Sequence, residues 1–263
     1  MNIFETLFLG VVEGVTEFLP ISSTFHLLWS SYVLTIPETD FVKLFQVVIQ
    51  AGAIMAVVVL YAREICNNRT LQKLLLASFI PTAVVAVLLY PLIKSVFFEA
   101  LGITTSIFAL VGGFFLLLEY AIEHKYLKLE KTISVLTYKH AVIIGLCQAF
   151  AVVPGVSRAG AVLAAMMMMG YRRDESAKYS FLLSIPTIVS AALFDLYKMR
   201  GVALADSAQT ITLLLGTIIA FVSALVGVKW LIGYLQQKSL NIFGWYRLLL
   251  GIILLLVLFA RGL

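Results

Sequence analysis

Glu13-Gly14-Val15-Thr16-Glu17-Phe18-Leu19-Pro20-Ile21-Ser22-Ser23-Thr24-Phe25-His26 interrupts an apolar stretch at residues 3–34 with two carboxylates, a helix breaker, a run of three hydroxyls and an imidazole. Acids four apart share one face of a helix, about 6 Å from each other along its axis. Pro20 then breaks that helix, so the stretch is expected to form two short helices around a turn. Residues 139–170 repeat the pattern, with Gln148, Pro154, Gly155, Ser157 and Arg158 as interruptions. The remainder of the chain decides what solvent these breaks sit in. Of 263 residues 62% are hydrophobic and 13% charged, and the charges fall between apolar runs at 41–61, 71–89, 101–120, 179–197, 211–230 and 243–260, each long enough to cross a bilayer. Irregular backbone at membrane depth persists only where protein or a wet cavity shields it. The expected fold is therefore an all-α polytopic membrane protein with about six transmembrane helices and two re-entrant helical hairpins.

The broken stretches also echo each other: Glu13-x6-Pro20-x-Ser22-Ser23 against Cys147-x6-Pro154-x-Val156-Ser157, with Gln148 one position off Glu13. One integral membrane domain over 1–263 is expected, as inverted pseudo-repeats at about 1–120 and 139–263 joined by the basic loop 121–138. Arg63, Arg69 and Lys73, together with Lys125, Lys128, Lys131 and Lys139, fall on one side of this topology, which the positive-inside rule makes cytoplasmic. The first hairpin then opens to the outer side, although Lys94, Lys198 and Arg200 fall outside as well.

The net charge of +5 goes with the ends of apolar spans and with anionic headgroups, and no nucleic-acid-binding module is present. Cys66 and Cys147 are too isolated for a disulfide framework or a zinc site and are expected to be core thiols. No basic residue precedes Glu13, so the N-terminus lacks the pattern of a removable signal peptide.

Two acids in a membrane segment are costly, and they point to an ion path, a cation site or a catalytic pocket. Ser23 and His26 add a hydroxyl and a proton-transfer group. Pro154-Gly155-Val156-Ser157-Arg158-Ala159-Gly160 places a guanidinium beside a glycine-rich turn before a small-residue helix at 161–169, which suits a phosphate. The Walker lysine pattern is absent. Acids, hydroxyls and an arginine meeting between two hairpins suit phosphoryl transfer. Gln46 and Gln50 share a helix face and either border the cavity or bond between helices. Met166 to Met169 are expected to pack, and His124 and His140 to be solvated.

These motifs resemble the undecaprenyl-diphosphate phosphatase family, also known from bacitracin resistance. The resemblance is nearly full length and extends to Phe181-Leu182-Leu183-Ser184-Ile185-Pro186 and Phe243-Gly244-Trp245-Tyr246-Arg247. It implies an enzyme of the bacterial cytoplasmic membrane that removes the terminal phosphate of undecaprenyl diphosphate, recycling the carrier lipid of cell-wall polymers. Bacitracin sequesters the same lipid and is not a protein ligand. Carried onto this chain, Glu13 and Glu17 are the paired acids for a divalent cation, Mg²⁺ or Ca²⁺, or for proton transfer. Ser23 is the preferred nucleophile and His26 its partner; attack by His26 itself is the alternative. Arg158 clamps the diphosphate, with Ser157, Gly155, Ser22, Thr24 and Gln50 as further substrate contacts. No organic cofactor is expected, and a homodimer is one option for the assembly.

Phe25, Ala159, Val162 and Lys178 depart from the family pattern, where a glycine, a serine, a threonine and an acid are usual. Phe25 is expected to tighten the turn at His26, and Ala159 and Val162 to remove hydroxyls from the phosphate site. A transporter or flippase of prenyl phosphate lipids is the rival reading, since inverted repeats with broken helices are transporter architecture.

Overall fold

The computed structural model describes residues 1–96, 101–203 and 206–261, with side chains left out at 90–96 and 203. Lys94, assigned to the outer side from sequence, lies outside the described side chains. Among the described residues eleven α-helices follow in order: α1 (Ile3–Thr16), α2 (Ser23–Val33), α3 (Asp40–Asn67), α4 (Arg69–Val96), α5 (Leu101–Glu123), α6 (Tyr138–Ala149), α7 (Arg158–Met168), α8 (Arg173–Lys198), α9 (Arg200–Ala203), α10 (Ser207–Leu235) and α11 (Asn241–Ala260). Six of these, α3, α4, α5, α8, α10 and α11, are long and apolar enough to cross a membrane. They overrun the apolar runs at one end or both because polar residues cap them: Thr39 accepts from the Val42 amide and Asp206 from the Ala208 amide. Asn2 and Glu5 close a capping box on α1.

The hairpins α1–α2 and α6–α7 are the two broken stretches. The second hairpin starts and ends at the basic end of the bundle, where the Glu130 and Lys131 amides donate to the Gly170 carbonyl. The Glu119–Arg173 ion pair and the Leu240 amide on Glu119 tie α5, α8 and the start of α11 together there. The first hairpin has its ends at the opposite pole, near the ends of α8 and α10, where Leu9, Leu27 and Leu213 share a core with half-buried Leu196 and Met199. The two hairpins thus dip in from opposite ends.

Their neighbours are exchanged in a regular way. α1 lies along α10, whereas α6 lies along α4; α3 meets α8, and α5 meets α11. Gly14 makes the first contact close, since a Cβ there would stand 2.3 Å from the Ala220 carbonyl oxygen, and Gly145 does the same for the second, 2.0 Å from the Ser78 oxygen. Leu110, Leu117 and Phe259 are among many large apolar side chains left exposed, on the outer faces of the long helices where lipid is the solvent. Cys66 is exposed at the end of α3 and Cys147 is half-buried, so the expectation of two core thiols fails at Cys66, which lies beyond the apolar part of its helix.

Candidate active site

Where the tips meet, Ser22 (φ 67°, ψ 90°) precedes α2 and Ser157 (φ 78°, ψ 115°) precedes α7. Both are L-residues in left-handed backbone, a strain of about 1–3 kcal/mol that the surrounding bonds must hold. This pairs Ser22 with Ser157, and Gly10 with Gly145 and Glu13 with Gln148 at the same spacing of 135 residues. The register is shifted by one from the sequence echo, which set Ser23 against Ser157. Arg158 begins α7, so the helix starts three residues earlier than the expected position 161.

The Arg158 guanidinium spans the hairpins. Its NH2 donates to Glu17 Oε1 at 2.6 Å and its NH1 to the Ser180 carbonyl at 3.0 Å. The other Glu17 oxygen, Oε2, accepts a hydrogen bond from the Ser23 hydroxyl. A hydroxyl that donates to a carboxylate is set up as a nucleophile with its base, and the adjacent guanidinium offers charge for a phosphoryl oxygen. Buried Arg158 Nε has no acceptor among the described residues. Glu13 is fully buried, interacts electrostatically with Glu17 and Arg158, and neither of its oxygens meets a donor among the described residues.

Glu17, Ser22, Ser23, Thr24, Gly155, Ser157, Arg158 and Gln50 all line one cavity of about 630 Å³. Its polar end is these residues; farther along, Phe79, Ala83 and Val87 from α4 face Ile188, Ala191 and Phe194 from α8, and Thr82, Gln148, Thr187, Ser190 and Asp195 add polar groups to the lining. A polar end carrying a guanidinium, continuous with a largely apolar cleft, is the shape for an anionic headgroup on a hydrocarbon chain.

A family model described as Bacitracin resistance protein BacA matches residues 6–253. An Undecaprenyl-diphosphatase of Aquifex aeolicus is 40% identical over 253 residues, covering 96% of this chain and 97% of that one. Proteins of the same name from Flavobacterium psychrophilum (38% identical, 98% of this chain and 97% of that one) and Bdellovibrio bacteriovorus (36%, 99% and 97%) match as fully. The chain belongs to the BacA family.

In this BacA chain His26 is not brought to the cavity wall. Its Nδ1 lies 2.8 Å from the Ser22 carbonyl, which can only accept, so Nδ1 carries hydrogen. In the neutral ring Nε2 then accepts from the Tyr246 hydroxyl at 2.7 Å. The imidazole thus holds the strained Ser22 peptide from behind, next to Ser23.

Arg247 was quoted in the resemblance without a role. It is fully buried, and its guanidinium donates to the carbonyls of Phe108 (3.1 Å), Pro20 (2.9 Å) and Gly155, tying both hairpin tips to α5. The sequence signal was a lone guanidinium in an apolar span; the missing part was its acceptors, 92 and 227 residues away.

The departures from the family pattern fall largely outside the cavity. Ala159 and Val162 are buried in α7 and do not line it, so they do not remove phosphate contacts as expected from sequence. Phe25 stacks on Phe108 with ring centroids 3.8 Å apart, an anchor for α2 on α5. Lys178 pairs with Glu64 of α3 at 2.8 Å, so the reversed charge has an opposite partner. Gln46 bonds to Ser31 between helices while Gln50 faces the cavity. Of the four methionines expected to pack, Met166 and Met167 are buried and Met169 half-buried, whereas Met168 is exposed. His124 is exposed, but His140 is half-buried with its Nδ1 2.7 Å from the Tyr171 hydroxyl, so it is not the solvated residue expected.

Proposed function

We infer that this chain is a membrane phosphatase that converts undecaprenyl diphosphate to undecaprenyl phosphate and inorganic phosphate at the cavity between the hairpins, in the bacterial inner membrane. The observation that carries the reading is the Ser23–Glu17–Arg158 chain at the polar end of an apolar cleft. Ser23 Oγ attacks the terminal phosphorus as its proton passes to Glu17. The bond to the bridging oxygen breaks as Glu17 passes that proton to it, and lipid monophosphate leaves. Water then resolves the phosphoserine, and Arg158 offsets the charge on the equatorial oxygens in both steps. His26 acts through the Ser22 carbonyl, setting the backbone that aims Ser23.

No cluster of three His, Cys, Asp or Glu side chains occurs among the described residues, so a protein-only cage is not the fit. Glu13, whose oxygens lack a donor but which does not line the cavity, and Glu17, whose oxygens hold Arg158 and Ser23, would be the carboxylates for a hard divalent cation, which would replace one of those Glu17 contacts. Such an ion supplies neutralisation of phosphoryl charge.

Hairpins that enter from opposite ends and exchange their neighbours support a reading of the halves as inverted repeats, and this arrangement is also what favours lipid translocation as a second role. The site is then served from the side opposite the basic loops. Phosphate release from C55 and shorter prenyl diphosphates by purified protein, with and without Mg²⁺ or Ca²⁺, tests the main reading. Arg158→Ala is expected to abolish release. Movement of prenyl phosphate across liposomes with no hydrolysis would replace the phosphatase by the translocase.

A further inference from the structure

Gln148, at the end of α6, has no part in the chemistry described so far. Its side chain is buried, and it lines the same cavity as Ser23 and Arg158. Its Nε2 stands 2.9 Å from Thr82 Oγ1 and 3.2 Å from Thr187 Oγ1. Each of those hydroxyls already donates to a backbone carbonyl, Thr82 to Gly145 at 2.8 Å and Thr187 to Leu183 at 2.9 Å, which leaves only lone pairs facing the amide. A flipped carboxamide would set its oxygen against two acceptors, so the network fixes which end is which. Both anchors come from the same triplet, Ile-Pro-Thr, at 80–82 in α4 and 185–187 in α8.

The consequence falls on Oε1, which is buried and meets no donor among the described residues. An acceptor held dry without a donor is unfavourable, and it invites one. Phosphate oxygens in their ionised form are acceptors too and would be repelled. Water is the O–H donor that any diphosphate hydrolysis consumes. Gln148 also stands at the register position that Glu13 occupies in the first hairpin, so the two hairpins present an acceptor without a donor from equivalent places.

We propose that Gln148 is a catalytic residue that orients the attacking water through Oε1, with Thr82 and Thr187 as positioning residues acting through its amide. This rests on the phosphatase reading above. In the step concerned, the water donates one hydrogen bond to Gln148, its oxygen bonds to phosphorus and the Ser23 Oγ–P bond breaks. The water's other proton passes to Glu17 and on to Ser23 Oγ, leaving inorganic phosphate and the free serine.

Release of lipid monophosphate from the first turnover onward, by purified full-length protein, tests this. Gln148→Leu is expected to lower steady-state turnover about 10- to 100-fold with KM within about twofold, while the first turnover survives as a burst of about one product per protein. The double variant Thr82→Val/Thr187→Val lowers turnover in the same way, and Thr82→Ser/Thr187→Ser restores it. If Gln148→Leu does not fold, the threonine variants carry the same split of turnover against KM. Wild-type turnover in Gln148→Leu, or a loss that only tracks the fraction of folded protein, overturns the proposal. Lowered turnover at constant KM with no burst keeps Gln148 on a water that attacks the diphosphate directly and removes Ser23 as nucleophile. No release by the wild-type protein sinks the phosphatase reading itself, and this proposal with it.

Discussion

The first hairpin is flanked by α3 and α10, the second by α4 and α8, and the two flanks are built to opposite ends. α3 and α10 are in close contact along their length: a Cβ on Gly52 would stand 2.3 Å from the Thr217 carbonyl oxygen, and one on Gly216 would stand 2.5 Å from the Phe45 ring. α4 and α8 run in the same direction and touch less. At the basic end Tyr179 joins them through Ser78 (2.8 Å) and the Leu74 carbonyl (3.0 Å), and farther along Gln148 bridges their threonines. Beyond that bridge Ala83, Ala86 and Val87 stand away from Ile188, Ala191 and Phe194, and the cleft opens. Glycines seal one flank of the bundle, whereas on the other a single amide bridges the helices beside the cleft. One architecture has thus been given a structural side and a ligand side, and the catalytic groups from both hairpins are turned toward the second.

Arg247 is the point on which both sides depend, because it holds one carbonyl from each hairpin tip and one from α5. Arg247→Met keeps much of the side chain's volume but leaves three carbonyls without their donor. We expect a loss of about 3–5 kcal/mol in stability, and of phosphate release with it. Thermal unfolding in detergent measures the first. An unchanged midpoint would mean that the tips are held by their own hairpins.

Substitutions on the two flanks should separate stability from activity. Gly52→Ala forces a methyl against backbone on the closed flank and is expected to cost about 1–3 kcal/mol while leaving turnover per folded protein unchanged. Ala86→Phe on the open flank projects into the cleft; it should leave the unfolding midpoint nearly unchanged and raise KM for long prenyl diphosphates more than for short ones. Equal effects of Ala86→Phe on C15 and C55 substrates would show that the chain does not lie between α4 and α8.

The hairpins and their polar residues were legible because a charge in an apolar stretch is expensive, so Glu13, Glu17 and Arg158 stand out with no structure at all. The helix-breaking residues Pro20 and Pro154 placed the turns for the same local reason. Register was not legible: Ser22 and Ser23 are alike in sequence, and only the left-handed φ at Ser22 matches it to Ser157. Nor were the partners of long-range donors. Tyr246 takes His26 away from the cavity, and Thr82 and Thr187 orient Gln148, by contacts that span 220, 66 and 39 residues. Phe25 meets the His26 ring edge-on, as its place in sequence suggests, but its stacking on Phe108 of α5 was not legible.

The smallest expected effect lies at the paired left-handed serines, where glycine removes the backbone strain in either hairpin. Ser157 Oγ accepts from the Gly160 amide at 3.1 Å and so caps α7. Ser157→Gly therefore loses a cap, at a cost of a few tenths of a kcal/mol when glycine takes the position, as it relieves φ, so its net gain should be smaller than that at Ser22. Ser22 makes no side-chain cap bond, so Ser22→Gly loses nothing of that kind at α2. It should raise stability by up to about 1 kcal/mol. The activity of the Ser22 variant should fall all the same, since a looser peptide at position 22 no longer fixes the Ser23 hydroxyl on Glu17. Chemical denaturation and turnover measured on both variants would read the contrast. Equal stability changes at the two serines would mean that the cap on α7 contributes nothing, and the hairpins would then differ in chemistry alone.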